Sequence, residues 1–414
     1  MVTLATPARS RLRLALSLSV PARVWLAIIG SRLLVLASGA AGALYESRAS
    51  GWESFDPLRL SSSLGSVGNV LAASSVRWDA IGYLTIAQHG YTDAKSTMLF
   101  PLYPMLIRML DAIVPSQVIC GEMISLTAFA VGLELTHRIA ADKVGPRAAD
   151  MVVLLLAFSP LSFVFSAVYT ESLMLALAAA TFYLASRDRF EAACLAATAA
   201  ALTHVQGILL VAPLALTYWR ARGRPRDPRR LASAQLALLA FPPLAFASFL
   251  EYMHAHGWGW LAPIANQNAA DAGRTFVGPG LMLFDAVKAV AIGIDQLLHP
   301  VPTPVQGGVF SLGLENTFLL AVLTISILGA FVIRRRLPGE YVLFAVLALL
   351  VCTSSAVALE PLKGFDRYML PVFPLWIGAG AWLSDRRLGA IILPLSTMML
   401  VCYTVAFASW VSVF

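Results

Sequence analysis

Long apolar runs recur along the whole of this chain, separated by short arginine clusters, and that pattern excludes a water-soluble globule. Eleven runs are readable, near residues 24–45, 118–137, 151–168, 171–186, 192–203, 206–219, 231–250, 312–333, 340–358, 369–383 and 390–412. Hydrophobic residues make up 58% of the 414 and charged residues 13%, with a mean hydropathy of +0.75. One buried core or one signal segment cannot absorb that surplus, so most of the chain must be solvated by lipid. The expected class is all-α: a polytopic integral membrane protein of about 11 transmembrane helices, forming one domain over residues 1–414.

The basic start resembles the opening of a secretory signal, but its apolar run is too long for a signal core and Arg32 interrupts it. A retained first span is therefore expected. The stretch 192–219 reads either as one long tilted helix or as two short ones hinged near His204 and Gly207. Charge decides. Of the 30 Lys and Arg, 20 fall in clusters at 9–23, 138–147, 187–189, 220–230, 334–336 and 386–387, and a hairpin places all six clusters on one side. Nine remain on the other side and Arg32 lies within the first span, as the positive-inside rule requires. The N-terminus is then inside, the C-terminus outside, and the two long polar segments, 46–117 and 251–311, face outward. Long segments of this kind are usually functional or disordered, and the aromatics, prolines and apolar helical patterns in these two argue against disorder, so the chemistry is expected on the outer face.

The net charge of +7 is accounted for by this topology and not by nucleic-acid binding. Cys120, Cys194, Cys352 and Cys402 all sit in apolar stretches, with no CxxC pair, and predict neither a disulfide framework nor a zinc site. The Ala- and Arg-rich composition points to a bacterial cytoplasmic (inner) membrane, the endoplasmic reticulum membrane being the eukaryotic counterpart.

The densest chemistry lies in the first outer segment, RWDAIGYLTIAQHGYTDAKSTMLFPLYPMLIRML. Trp78, Ile81 and Thr85, and Tyr83, Ala87 and Tyr91, have the spacing of a short interfacial helix with Asp79 in its first turn, where the helix dipole favours an ionised carboxylate. After Pro101 and Pro104, an apolar stripe of Leu102, Leu106, Met109, Leu110 and Ile113 predicts a second surface helix.

RWDAIGYLTIAQHGY, then FPLYP, then FSPLSFVFSAVYTESL together resemble the GPI mannosyltransferase 2 (PIG-V-like) family, a branch of the lipid-donor GT-C glycosyltransferases. The resemblance covers residues 20–220 well and the remainder loosely, through GFDRYMLPVFP. It implies a hexosyltransferase with Asp79 as the catalytic carboxylate and a polyprenyl- or dolichyl-phosphate sugar, usually mannose, as donor. The chain departs from the family pattern at His204, in LTHVQGILL, where an arginine is expected.

The residues suit that chemistry. A polyprenyl phosphate is a good leaving group, so one carboxylate base to activate the acceptor hydroxyl suffices, whereas glycoside hydrolases normally use two. No DxD or GxxxxGK[ST] motif is present, so neither a metal nor any other cofactor is expected. Arg77, Lys95, Arg274, Lys363 and Arg367 are candidates to hold the donor phosphate. Trp78, Tyr83, Tyr91 and Tyr368 offer aromatic surface to a sugar, and His89 belongs to the same HGY element. Glu171, beside Tyr169, is a second polar anchor, expensive in lipid unless paired. The partners expected are the lipid-linked donor, membrane lipid, and a glycolipid, oligosaccharide or protein acceptor.

Structural readings stand beside these. Asp79 suits a helix cap, the aromatics an interfacial belt, and His204 a satisfied buried histidine. Arg32 has two outlets, snorkelling outward or pairing with Glu134. His254 and His256 lack a third metal ligand, and their Trp- and Asn-rich surroundings read as an acceptor-binding loop or lid. A transporter or flippase of lipid-linked saccharide is the alternative function, but it predicts midplane charges in two related halves, whereas the charges here gather in asymmetric outer segments.

Overall fold

The computed structural model describes residues 22–45, 55–225, 227, 233–267, 274–298, 312–384 and 386–413. The basic start at 9–13, the beginning of the first outer segment, and parts of the six-arginine cluster and of the second outer segment lie outside the described residues. Helices dominate, and the described strands are one antiparallel pair, β1 (Thr275–Phe276) with β2 (Ser355–Ala356). The principal helices are α1 (Ala22–Leu44), α2 (Asp79–His89), α3 (Leu102–Asp111), α4 (Gln117–Val144), α5 (Pro146–Ala157), α6 (Glu171–Ala185), α7 (Phe190–Ala201), α8 (Val211–Ala221), α9 (Phe241–Ala255), α10 (Gly278–Leu298), α11 (Leu312–Arg334), α12 (Gly339–Cys352), α13 (Phe365–Met369), α14 (Phe373–Leu383) and α15 (Gly389–Ala408).

Among the described residues, five helical stretches are long and apolar enough to cross a membrane: Ala22–Leu44, Gln117–Val144, Gln235–Ala255, Leu312–Arg334 and Gly389–Ala408. The third begins and ends several residues later than the apolar run at 231–250 suggests. The other expected crossings correspond to α5, α6, α7, α8, α12 and α14, of which the longest has 15 residues. At 1.5 Å per residue such a helix reaches about 22 Å, against a hydrocarbon core of about 30 Å. Irregular tips extend several of them. The segment 192–219 is two helices, as the hairpin requires: α7 ends at Ala201, His204 is extended, and a 3-10 turn over Val205–Leu210 leads into α8. Gly207 passes so close to the Ala200 carbonyl that any side chain would collide with it. Phe190, at the start of α7, meets Tyr218, near the end of α8, at 5.2 Å, so the two helices run antiparallel.

Two sequence expectations are corrected. The polar segment 251–311, expected as a long loop between spans, contains the 21-residue helix α10, which packs against α11. Its Asp285, Lys288 and Asp295 interrupt the apolar pattern that would have revealed it. The apolar stripe along α3 agrees with its expected place at the membrane surface: Met109 and, just past the helix, Ile113 are exposed as suits a lipid-facing side, while Tyr103, Pro104 and Ile107 turn inward. Arg32 neither snorkels nor pairs with Glu134, which binds Arg138 instead. The run 151–168 breaks where α5 ends, three residues before Pro160, which cannot continue a helix. Arg32 donates to the Ser162 carbonyl at 2.8 Å and to the Ser162 and Ser166 hydroxyls at 2.6 and 2.7 Å, and lies over the Phe129 ring. It thereby satisfies backbone and hydroxyl oxygens exposed by the break, which lipid could not do.

Tight packing sets the end of the chain against its beginning. α1 and α15 approach so closely that a Cβ at Gly42 would sit 2.5 Å from the Val405 carbonyl oxygen. The Ser409 hydroxyl donates to the Gly42 carbonyl at 2.9 Å. This contact fixes where α15 ends, beside the start of α2.

Candidate active site

Two helices begin with a carboxylate at the same place. Asp79 is the first residue of α2 and Glu171 the first of α6. Between them lies Arg367 of α13, whose Nη1 donates to Asp79 Oδ2 at 2.7 Å and whose Nε lies 3.2 Å from Glu171 Oε1. The helix termini favour both negative charges. Burial opposes the charge of Arg367, but Asp79 foremost, then Tyr368 and Glu171, outweigh it and drive its pKa well above the ordinary value. The side chain of Asp79 is 28% exposed, while those of Glu171 and Arg367 are 4% and 10% exposed. Asp79 is therefore the carboxylate a substrate can reach. The N-cap position of α2 is held by Trp78 and not by Asp79, whose carboxylate accepts from Arg367.

Aromatic groups enclose the pair. The Arg367 guanidinium lies 5.0 Å over the Tyr368 ring and 5.4 Å over Tyr169, and its Nη2 donates to the Tyr368 hydroxyl at 3.3 Å. The Tyr83 hydroxyl, one turn beyond Asp79, pairs with Thr170 Oγ1 at 3.2 Å. His204 packs on Tyr368 at 5.7 Å, and its Nδ1 accepts from the Gln206 amide. Burial, and then the charge of Arg367, lower its pKa to about 3. His204 is thus a neutral ring at physiological pH and does not supply the cation expected at this position.

A second basic group flanks the site. Arg274 precedes β1, and its Nη2 donates to the Lys363 carbonyl at 3.0 Å, while Lys363 Nζ stands 3.8 Å from Glu360. Pairing of β1 with β2 ties the segment 251–311 to the loop that carries Lys363 and leads into α13 with Arg367.

Of the residues singled out in the sequence, Asp79, Tyr83, Tyr169, Glu171, His204, Arg367 and Tyr368 converge, with Trp78, Arg274 and Lys363 beside them. Others do not. His89 sits at the far end of α2, about 15 Å along the helix axis. The Tyr91 hydroxyl donates to the Leu99 carbonyl, its ring packs on Phe249 and Tyr252, and Lys95 rests over Phe55. Arg77 is engaged elsewhere: it donates to the Ala408 carbonyl through Nε and Nη2 at 3.0 and 2.8 Å, and to Ala73 and Val76 through Nη1. Its charge sits on the carboxyl end of α15, where the dipole favours a cation.

Sequence reasoning missed Gln206 and Asp366. Gln206 Nε2 donates to the Tyr368 carbonyl at 2.8 Å, which steadies the residue next to Arg367. Asp366 accepts from the Arg367 amide at 2.9 Å, and burial raises its pKa to about 6. The GFDRY segment was a visible signal for the second, but nothing local marks the first. Among the described residues, Glu171 Oε2, Gln206 Oε1 and Trp78 Nε1 are buried with no hydrogen-bond partner. No group of three or more His, Cys, Asp or Glu suited to a metal occurs among the described residues.

The helices and this carboxylate–arginine centre define a multi-pass membrane protein with a polar site built where helix ends meet. Residues 26–218 match the family model described as Mannosyltransferase (PIG-V), a span that includes Asp79, Glu171 and His204. Over that span the chain is similar to the PIG-V mannosyltransferases, and that similarity together with its long apolar helices supports a membrane glycosyltransferase. No curated protein matches the chain.

Proposed function

We infer that this protein transfers mannose from a polyprenyl-phosphate donor to an acceptor hydroxyl, in a single inverting displacement with Asp79 as base. The observation that carries the reading is the solvent-reachable Asp79 carboxylate held 2.7 Å from Arg367 at converging helix ends. The acceptor oxygen attacks the anomeric carbon and the bond to the donor phosphate breaks, its electron pair leaving with polyprenyl phosphate. The acceptor proton passes to Asp79. Arg367, with Arg274 and Lys363 alongside, meets the donor phosphate. An anion arriving at Arg367 competes with Asp79 for the guanidinium, and loss of that partner makes the carboxylate a stronger base. Glu171 keeps Arg367 in place. The unpartnered Glu171 Oε2 and Gln206 Oε1 suit sugar hydroxyls, since a buried acceptor without a donor costs about 1–3 kcal/mol. The leaving phosphate needs no protonation, so the reaction as written calls for no metal or other cofactor.

In this reading the chain crosses the membrane eleven times, the short helices included, with the N-terminus inside and the site on the outer face of a bacterial cytoplasmic membrane. The gathering of Ser186, Thr217 and Glu340 around one cavity supports it, because one helix separates each from the site end: α6 leads from Glu171 to Ser186 at its C-cap, α8 follows the His204 turn and carries Thr217, and α12 runs from Glu340 in its first turn towards β2. The test is to incubate the purified protein with radiolabelled polyprenyl-phosphate mannose and a membrane lipid extract. Label should move to an extractable acceptor. Retention of all label in the donor contradicts the transferase reading, and movement of intact donor across vesicle membranes favours a flippase.

A further inference from the structure

The turn that presents Asp79 is built in a conformation its sequence resists. The Ala80 amide donates to the Arg77 carbonyl at 3.1 Å, closing a four-residue turn over Arg77–Ala80. Trp78 occupies its second position with φ 53° and ψ −118°, the backbone of a type II′ turn and ordinarily a glycine's. Backbone strain of this kind persists only where the surroundings over-determine it. Here those surroundings include the end of the last helix. α15 closes with the Val411 amide on the Ala406 carbonyl and the Trp410 amide on Phe407, a Schellman cap. Trp410 fills its left-handed position with φ 63°, again where glycine is usual.

Two tryptophans thus stand at glycine positions, and they touch. The Trp78 ring meets Trp410 edge to face at 5.7 Å and is backed by Phe55 at 4.9 Å. Arg77 lies 4.7 Å over the Trp410 ring and grips the Ala408 carbonyl. Its own carbonyl accepts from the Tyr169 hydroxyl at 3.1 Å, two residues before Glu171. A helix cap alone needs no indole, and glycine would cap α15 with less strain.

We propose that the C-terminal corner Ala408–Trp410 is a positioning device for catalysis: with Arg77 it clamps Trp78 in the strained turn and so aims the Asp79 carboxylate at Arg367. This rests on the assignment of Asp79 as the base. Misplacement of a reacting group by about 1 Å can cost about 10²-fold in rate, so the clamp acts on kcat and not on donor affinity.

Trp410→Gly separates the clamp from the cap, because glycine suits the left-handed backbone and removes only the ring. The expected result with labelled donor is a 10- to 100-fold lower kcat, a donor KM within threefold of wild type, and recovery to within threefold of wild-type kcat in Trp410→Phe. Wild-type kcat in Trp410→Gly, or equal losses in the Gly and Phe variants, overturns the proposal. Should the glycine variant not fold, Arg77→Lys decides: it keeps the charge at α15 but loses the two-pronged grip, and the same kcat loss at unchanged KM is required. A cryo-EM structure of the variant supplies a readout independent of turnover, with the Asp79–Arg367 contact broken as the expected result and an intact contact overturning the proposal. If wild type itself moves no label, the activity assigned above fails. If wild type is active, Asp79→Asn is inactive and Trp410→Gly matches wild type, the clamp alone fails.

Discussion

Arg367 and Asp79 meet at 2.7 Å across 288 residues of sequence. The bond joins the matched segment, 26–218, to helix α13 beyond it, so the site is complete only when both parts of the chain are folded together. Glu171 takes the other side of the same guanidinium.

The first prediction concerns that guanidinium. Arg367→Ala leaves Asp79 and Glu171 near one another without their shared cation, and breaking a buried pair typically costs about 3–5 kcal/mol of stability. Transition-state binding should fall by about 2–4 kcal/mol as well, comparable to loss of one preorganised donor. Arg367→Lys should restore most of the stability and little of the rate, because a point charge cannot contact both carboxylates in the fork geometry. Thermal melts and kcat/KM on the two variants check this. Full activity in Arg367→Lys would place the phosphate elsewhere, with Lys363 the next residue to replace.

The second concerns pH. His204 is buried neutral, with its pKa lowered from 6.5 to about 3. The unfolded chain therefore binds a proton there that the folded chain does not, and the contribution of this site to stability falls as pH drops from about 6.5 towards 3. Above 6.5 it is constant. The difference in Tm between wild type and His204→Asn should shift in favour of the variant on acidification through that window. A difference independent of pH from 7 to 4 would show that the ring is already protonated or solvated in the fold.

The third is topological. An epitope inserted at Gly223 should be cytoplasmic and one at Gly257 external, as the charge asymmetry requires. Protease protection in sealed vesicles reports each directly. Finding both on one side contradicts the eleven-crossing arrangement and, with it, an outward-facing site.

Much of this was legible where the signal is local. The bounds of α1, α11 and α15 follow apolar runs to within a few residues, and α2 starts at Asp79 as the side-chain spacing and first-turn carboxylate predict. The pause at His204 was visible because a histidine and a glycine interrupt an otherwise apolar stretch. What escaped is non-local or masked by charge. Asp285, Lys288 and Asp295 conceal α10 from a hydropathy reading. Arg77 looked like an anion-binding residue because nothing near it in sequence reveals that its partner is the Ala408 carbonyl, 331 residues away. Gln206 is a single amide in an apolar run, and its role comes only from the Tyr368 carbonyl brought to it by α13.

The most direct measurement on the central claim is the single-turnover rate of Asp79→Asn with labelled polyprenyl-phosphate mannose, alongside donor affinity and melting temperature. Asparagine preserves the shape of the side chain, so the fold and donor binding should persist, but it cannot take the acceptor's proton, and loss of a general base removes about 10²- to 10⁴-fold in rate. A folded, donor-binding variant slowed by that factor is the predicted result. Near wild-type turnover in Asp79→Asn contradicts the account, and its loss in Glu171→Gln instead would move the base to the other carboxylate on Arg367.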